Sequence, residues 1–133
     1  MGDERRVVQT DEAPAAVGPY SQAIVGNAPL LFCSGQIPLD PASGELVEGG
    51  AAEQTTRCLE NLEAVCREAG TSLSNAVRVG VFCTDLAADW PEVNAAYERF
   101  FEGGEPPARA TVGVAALPKG ARVEIEAVVA CPR

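Results

Sequence analysis

The stretch "RVEIEAVVA", residues 122–130, alternates apolar and polar side chains along most of its length. The alternation places four apolar residues at odd-numbered positions: Val123, Ile125, Ala127 and Val129. Glu124 and Glu126 lie between them. Because successive side chains of a strand point to opposite faces of a sheet, the pattern predicts a strand with one face on a hydrophobic core and two carboxylates on the other.

The preceding stretch "PPARATVGV", residues 106–114, predicts a strand from about Arg109 to Ala115. Only the short connection "LPKG", residues 117–120, separates it from the last strand, so we expect the two strands to be neighbours and Arg109 and Glu124 to face one cleft. A guanidinium offers parallel donors to a carboxylate, and a glutamate can deprotonate water or shuttle a proton. The pattern alone leaves open a surface ion pair for the arginine and a solvated position for the glutamate.

Apolar residues spaced three and four positions apart predict two helices. The first begins near Ala51 and ends at Gly70, a residue type typical of the position just past a helix. Its apolar stripe comprises Cys58, Leu59, Leu62, Val65, Cys66 and Ala69. The second is predicted to begin at Asp89, which forms a possible capping box with Glu92. Its stripe comprises Trp90, Val93, Tyr97 and Phe101, and Asn94 falls on the same face.

The remaining predicted strands are residues 5–9, 21–25 and 30–35 and the alternating run that contains Val77, Val79, Val81 and Cys83. Gly26 and Asn27 suggest a hairpin between the second and third strands. The order ββ(β)αβαββ predicts an α+β sandwich, a mixed sheet with both helices on one face. So short a chain cannot cover the other face, and we therefore expect a homo-oligomer built on the sheet.

Composition restricts the classes of function. The 133 residues fit one domain spanning 1–133, and 47% hydrophobic residues are enough for a core. A formal charge of -9 argues against nucleic acid and membrane surfaces as partners. The N-terminal stretch "MGDERRVVQT" has no apolar signal region, and a cytoplasmic protein is the expectation.

The inventory of reactive side chains excludes several chemistries. The chain has no histidine, and its five cysteines are scattered and never form a C-x-x-C pair, which disfavours zinc, a disulfide framework and a Cys/His or Ser/His nucleophile. The cysteines lie among apolar residues, where a free thiol acts as a small hydrophobe. Neither a G-x-x-x-x-G-K-S/T loop nor a G-x-G-x-x-G loop is present, so no cofactor is indicated.

Four motifs occur in a specific order: "GPYSQA" (18–23), "SGQIP" (34–38), "PAR" (107–109) and "VEIEA" (123–127). In this combination, over nearly its whole length, the chain resembles the RidA (YjgF) family of reactive intermediate deaminases. The resemblance implies a chorismate-mutase-like α+β subunit in a homotrimer with three ligand clefts at subunit interfaces. It also implies hydrolysis of 2-imino and 2-enamino acids, such as 2-aminoacrylate and 2-iminobutanoate, to 2-keto acids and ammonia without a cofactor.

The resemblance also implies the roles of individual residues. Arg109 of "PAR" would clamp the substrate carboxylate, and Glu124 would orient the attacking water and exchange protons with the leaving nitrogen. The implied substrate-binding residues are Tyr20, Ser34, Gly35, Asn94 and Thr111. A purely structural role for Asn94 in trimer packing stays open. Many relatives carry Ser or Thr and then Cys or Thr directly after the arginine, whereas here Ala110 lacks the hydroxyl and Thr111 replaces a frequent cysteine.

Two other classes of function remain. A small-carboxylate-binding regulatory or holdase-like module could use the same cleft without significant catalysis. An endoribonuclease activity has been attached to some relatives, but the charge of -9 and the absence of histidine argue against it.

Overall fold

The computed structural model describes residues 5–132, which form six strands and two α-helices. The strands are β1 (Arg5–Val8), β2 (Ala23–Gly26), β3 (Leu30–Gln36), β4 (Ala76–Cys83), β5 (Ala108–Gly113) and β6 (Val123–Ala130). The helices are α1 (Ala51–Glu68) and α2 (Leu86–Phe100). This order confirms the predicted α+β class with a mixed sheet.

The main sheet has four strands in the order β3-β6-β4-β5. β6 runs antiparallel to both of its neighbours, whereas β5 runs parallel to β4. The expectation that β5 and β6 are neighbours is therefore wrong, because β4 lies between them. The connection over 114–122 passes the end of β4, where the Val114 N–H donates to the Cys83 carbonyl at 2.9 Å and the Thr84 N–H to the Arg122 carbonyl at 3.1 Å.

β1 and β2 form a separate two-stranded antiparallel sheet. The predicted hairpin at Gly26 and Asn27 is wrong, since β2 pairs with β1 whereas β3 pairs with β6. Pro29 lies in the link between β2 and β3, and its carbonyl accepts a 2.8 Å hydrogen bond from the N–H of Cys131, just beyond β6. The link thus leads β3 into the main sheet beside β6.

The core lies between the main sheet and the two helices. All four odd-numbered β6 positions of the opening pattern are at most 2% exposed, as the alternation predicts. α1 buries Cys58, Leu59, Leu62 and Cys66 from its predicted stripe. Val65 and Ala69, also predicted there, are exposed because the stripe is narrower than the sequence pattern suggests.

α2 begins three residues earlier than predicted, at Leu86, because Asp85 caps it through a 3.3 Å hydrogen bond from the Ala88 N–H. The predicted capping box at Asp89 is therefore wrong. Asp89 is only 4% exposed and pairs with Arg122, accepting a 3.1 Å hydrogen bond from its Nε. The ion pair fixes the start of α2 against the entry to β6.

The five cysteines are free thiols within the described chain, and three of them are buried. Burial raises the pKa of Cys58 and of Cys66 to about 12, so both stay protonated and pack as apolar groups. Residues 5–132 contain no group of three or more His, Cys, Asp or Glu side chains suited to a metal ion. Neither helix in this range is long and apolar enough to cross a bilayer.

The sheet face opposite the helices is uncovered in the single chain. It exposes the large apolar side chains Leu30, Phe32 and Val112, and Phe32 is 73% exposed. Exposed apolar groups on one face are typical of an interaction surface.

We expect Leu62→Ala to lower the free energy of unfolding by about 2–5 kcal/mol, because it opens a cavity in the core. Val65→Ala is the matched control on the same helix, and its cost should stay below about 1 kcal/mol because Val65 is 40% exposed. Urea unfolding at one fixed protein concentration measures both. Equal losses would contradict this description of the α1 stripe.

Candidate functional site

Arg109 lies on β5, the edge strand, and points toward the helices. Its register partner on β4 is Val79, a buried residue of the core face. The half-buried guanidinium donates a hydrogen bond from Nη1 to Oδ1 of Asn94 on α2 at 3.0 Å. No carboxylate of residues 5–132 lies within ion-pair distance of it. The surface ion pair that the sequence left open is therefore absent from the described chain.

Three aromatic rings surround this guanidinium. Its Cζ lies 5.5 Å from the ring centroid of Tyr20, 5.2 Å from that of Trp90 and 4.9 Å from that of Tyr97. Contacts of this length are attractive because the face of an aromatic ring is electron-rich. Burial lowers the pKa of Arg109, although an arginine remains charged at neutral pH. The rings hold a cation partly out of water without neutralising it.

The "GPYSQA" segment places Tyr20 beside Arg109. The Ser21 N–H donates to the Pro107 carbonyl at 3.1 Å, and Ser21 forms a parallel bridge with Ala108 at the edge of β5. The Tyr20 hydroxyl in turn accepts a hydrogen bond from the Val17 N–H at 3.3 Å. The two motifs, far apart in sequence, thus build one wall of the site.

Two buried hydroxyl groups belong to the same region. The Tyr97 hydroxyl and Oγ1 of Thr111 have no hydrogen-bond partner within the described residues. Burial raises the pKa of Tyr97 well above its ordinary value, so the hydroxyl stays protonated. Thr111 follows Arg109 by two positions and so lies on the same face of β5. An unneutralised cation and unpaired hydroxyls together favour a small anionic ligand at this place.

Glu124 lies on the opposite face of the sheet. Its register partner on β4 is Phe82, which lies between the core residues Val81 and Cys83 and therefore points away from the helices. Its carboxylate occupies the space over Gly35, where a Cβ atom would overlap Oε2 of the glutamate. Gly35 and the exposed Ser34 lie where the pairing of β3 with β6 is irregular, between Cys33 and Gln36.

Glu126 differs from Glu124 in its partners. Arg78 lies 3.4 Å from Oε2 of Glu126 and forms an ion pair with it. Residues 5–132 provide no basic group within ion-pair distance of Glu124. Glu124 is therefore the freer of the two carboxylates to meet a ligand or water.

The predicted site residues thus form two groups, one on each face of the sheet. The first group comprises Arg109, Tyr20, Asn94 and Thr111, and the second comprises Glu124, Gly35 and Ser34. The expectation that Arg109 and Glu124 of one chain share a cleft is wrong, because β4 separates their strands and the two side chains point in opposite directions. Because β5 and β6 are two strand spacings apart, the backbones at Arg109 and Glu124 lie about 10 Å or more from each other across the sheet.

Trp90 and Tyr97 also belong to this candidate site, although the sequence pattern places them only on the apolar stripe of α2. Both share a face of α2 with Asn94, at spacings of four and three residues. An asparagine within an otherwise apolar stripe was the available signal, because a polar group there requires a partner. The partner is Arg109.

Known sequences similar to this chain carry several names. The family described as Endoribonuclease L-PSP matches residues 10–131. The RutC family protein y4sK of Sinorhizobium fredii is 54% identical over 92% of this chain and 94% of its own length. The human 2-iminobutanoate/2-iminopropanoate deaminase is 46% identical over 93% of this chain and 88% of its own length.

Solved structures share the fold at comparable identity. RidA from the Antarctic bacterium Psychrobacter sp. PAMC 21119 is 44% identical with a TM-score of 0.72, covering 94% of this chain and 98% of its own. The structure of E. coli TdcF with bound serine is 38% identical with a TM-score of 0.73, over 94% and 98% of the two chains.

We expect Tyr97→Phe to leave the free energy of unfolding of the ligand-free protein unchanged or to raise it by about 1 kcal/mol, because it removes a buried hydroxyl without a partner. Tyr20→Phe is the control, since it removes the acceptor of the Val17 N–H and should lower stability by about 0.5–1.5 kcal/mol. Denaturant titration without ligand measures both. A clear loss in Tyr97→Phe would contradict the assignment of an unpaired hydroxyl.

Proposed function

The chain belongs to the RidA (YjgF) family, also described as Endoribonuclease L-PSP, and we propose that it hydrolyses reactive 2-imino and 2-enamino acids to 2-keto acids and ammonia. The observation that carries the proposal is Arg109, a half-buried cation without a carboxylate partner in the described chain, placed beside unpaired hydroxyls. Such a site suits a small carboxylate. The 46% identical human deaminase supports the reaction assigned to it. We place this activity in the cytoplasm.

The proposal includes a homotrimer with clefts between subunits. Arg109 and Glu124 of one chain point to opposite faces of the sheet, so a site that uses both needs two copies of the chain. The uncovered apolar face, with Phe32 and Val112, provides a surface for that association. In the proposed cleft one subunit contributes Arg109, Tyr20, Asn94 and Thr111, and its neighbour contributes Glu124, Gly35 and Ser34.

The chemistry follows from the two groups. Arg109 binds the substrate carboxylate through two parallel N–H donors while Asn94 holds Nη1 in place. Glu124 accepts a proton from water as the water oxygen attacks the imine carbon, and it passes that proton to the imine nitrogen to give a carbinolamine. Glu124 then takes the proton of the carbinolamine hydroxyl and delivers a proton to the nitrogen as the C–N bond breaks, which releases the 2-keto acid and ammonia. An enamine first becomes the imine by gaining a proton on carbon and losing one from nitrogen.

The proposed reaction requires only a modest rate enhancement from this site. Imines hydrolyse in water without a catalyst, so positioning plus general acid-base assistance of about 10²- to 10⁴-fold is enough. An unpaired Glu124 suits this role better than Glu126, which is already bound to Arg78.

A carboxylate-binding module without significant catalysis is the second candidate. The structure of the relative TdcF contains bound serine, an amino acid with a carboxylate but no imine. A binding module would require Arg109 and the residues around it, but it would not require an acid-base group at Glu124.

The decisive assay generates 2-iminobutanoate in situ from a threonine dehydratase and follows its conversion to 2-ketobutanoate with and without the protein. We expect acceleration in proportion to protein concentration. Binding of 2-ketobutanoate without any acceleration would favour the binding module instead.

We expect Arg109→Lys to lose at least about 100-fold in kcat/KM, because an ammonium cannot make the planar two-pronged contact. Arg99→Lys, a change at an exposed position of α2, is the control and should retain activity. Full activity in Arg109→Lys would rule out the carboxylate clamp.

Glu124→Gln and Glu126→Gln form a matched pair on one strand. The first should lower kcat by about 10²- to 10⁴-fold with little change in the binding of 2-ketobutanoate, because it removes proton transfer and preserves shape. The second breaks only a half-exposed ion pair and should change kcat by less than about threefold. Equal losses in the two variants would contradict the role assigned to Glu124.

A further inference from the structure

A cavity of about 340 Å³ lies between the start of α2 and β5, beside the first group of site residues, which contains Arg109. It is lined by Leu86, Ala87, Trp90 and Thr111. Three of these residues present apolar surface, and none carries a charge. The volume is at the lower end of the range for small-molecule pockets, about 300–1,000 Å³.

The cavity adjoins the surroundings of Arg109 at two residues, Trp90 and Thr111. The Trp90 ring lies 5.2 Å from Cζ of Arg109 and forms a wall of the cavity. Thr111 is two positions along β5 on the same face, which puts it about 7 Å from Arg109. A ligand of a few carbon atoms that is held by its carboxylate at Arg109 can therefore extend into the cavity.

The cavity is lined mainly by apolar side chains, whereas the charged Arg109 lies next to Trp90 at its margin. Thr111 lines the β5 side of the cavity, but its Oγ1 is buried and is not open to the cavity. Leu86 and Ala87 lie on the α2 side and offer only carbon atoms. This arrangement matches a molecule with a polar head and an apolar tail.

We propose that this cavity receives the side chain of the substrate and that the protein prefers 2-imino acids with apolar side chains of several carbons over those with a methyl side chain. The inference rests on the proposed function and adds its substrate class. An apolar pocket discriminates by about 10- to 200-fold for each methylene that it accommodates. We therefore expect 2-imino-4-methylpentanoate, derived from leucine, to exceed 2-iminopropanoate, derived from alanine, by at least about tenfold in kcat/KM.

The test compares these two imines, each generated in situ by an amino acid oxidase and trapped by semicarbazide if it escapes hydrolysis. Ala87→Leu fills the cavity from an exposed helix position and should lower the ratio of the two kcat/KM values by about tenfold. Ala88→Leu makes the same change one residue further on, outside the cavity lining, and should leave the ratio as in the unmodified protein. Leucine is a strong helix former, so both variants should fold.

The outcomes separate the two proposals. Hydrolysis of both imines with a ratio near one, or an unchanged ratio in Ala87→Leu, would overturn the side-chain pocket while the deaminase proposal stands. Hydrolysis of neither imine by the unmodified protein would overturn both. The ratio in the unmodified protein decides the matter even if Ala87→Leu fails to fold.

Discussion

The partial burial of the Arg109 guanidinium is the constraint around which the rest of the site is arranged. A charged group taken partly out of water needs compensation, and here it comes from one hydrogen bond to Asn94 and from three aromatic rings rather than from a carboxylate. The positive charge therefore stays available to a ligand. Each surrounding element has a place in this arrangement: β5 holds the arginine, α2 holds its partner, and the "GPYSQA" segment closes one side.

The proposed function needs two copies of the chain for a site that uses both Arg109 and Glu124, because these side chains lie on opposite faces of the sheet. The pleat of β6 that buries Ile125 against the helices turns Glu124 to the other face, over Gly35. The same face leaves Phe32 exposed. Packing of this face of one copy against the β5 edge of another would cover apolar surface and bring a glutamate to a neighbouring arginine, so the same contact would contribute to stability and to chemistry.

Local patterns predicted most of the fold, and long-range relations were where prediction failed. The alternation in β6 and the spacing in α1 are set by neighbours in sequence, so both could be read directly. The order of strands depends on where a connection passes, and the link over 114–122 goes around β4 in a way that its composition does not reveal. The sequence pattern singles out Arg109 and Glu124 as candidates, but their placement on opposite faces depends on the register of β5 and of β6 with β4. Helical spacing alone does not separate Trp90 from a core residue, because a ring that packs on a cation and a ring that packs in a core follow the same spacing.

The most direct test of a site shared between subunits is complementation between two inactive variants. Arg109→Ala and Glu124→Gln are each expected to lack activity when purified alone, and the two are then co-expressed or reassembled in equal amounts. After random assembly of equal amounts, about a quarter of all sites would combine an intact arginine with an intact glutamate from the neighbouring subunit, so about a quarter of the unmodified activity should return. A mixture with confirmed subunit exchange that stays as inactive as the two separate variants would contradict the account.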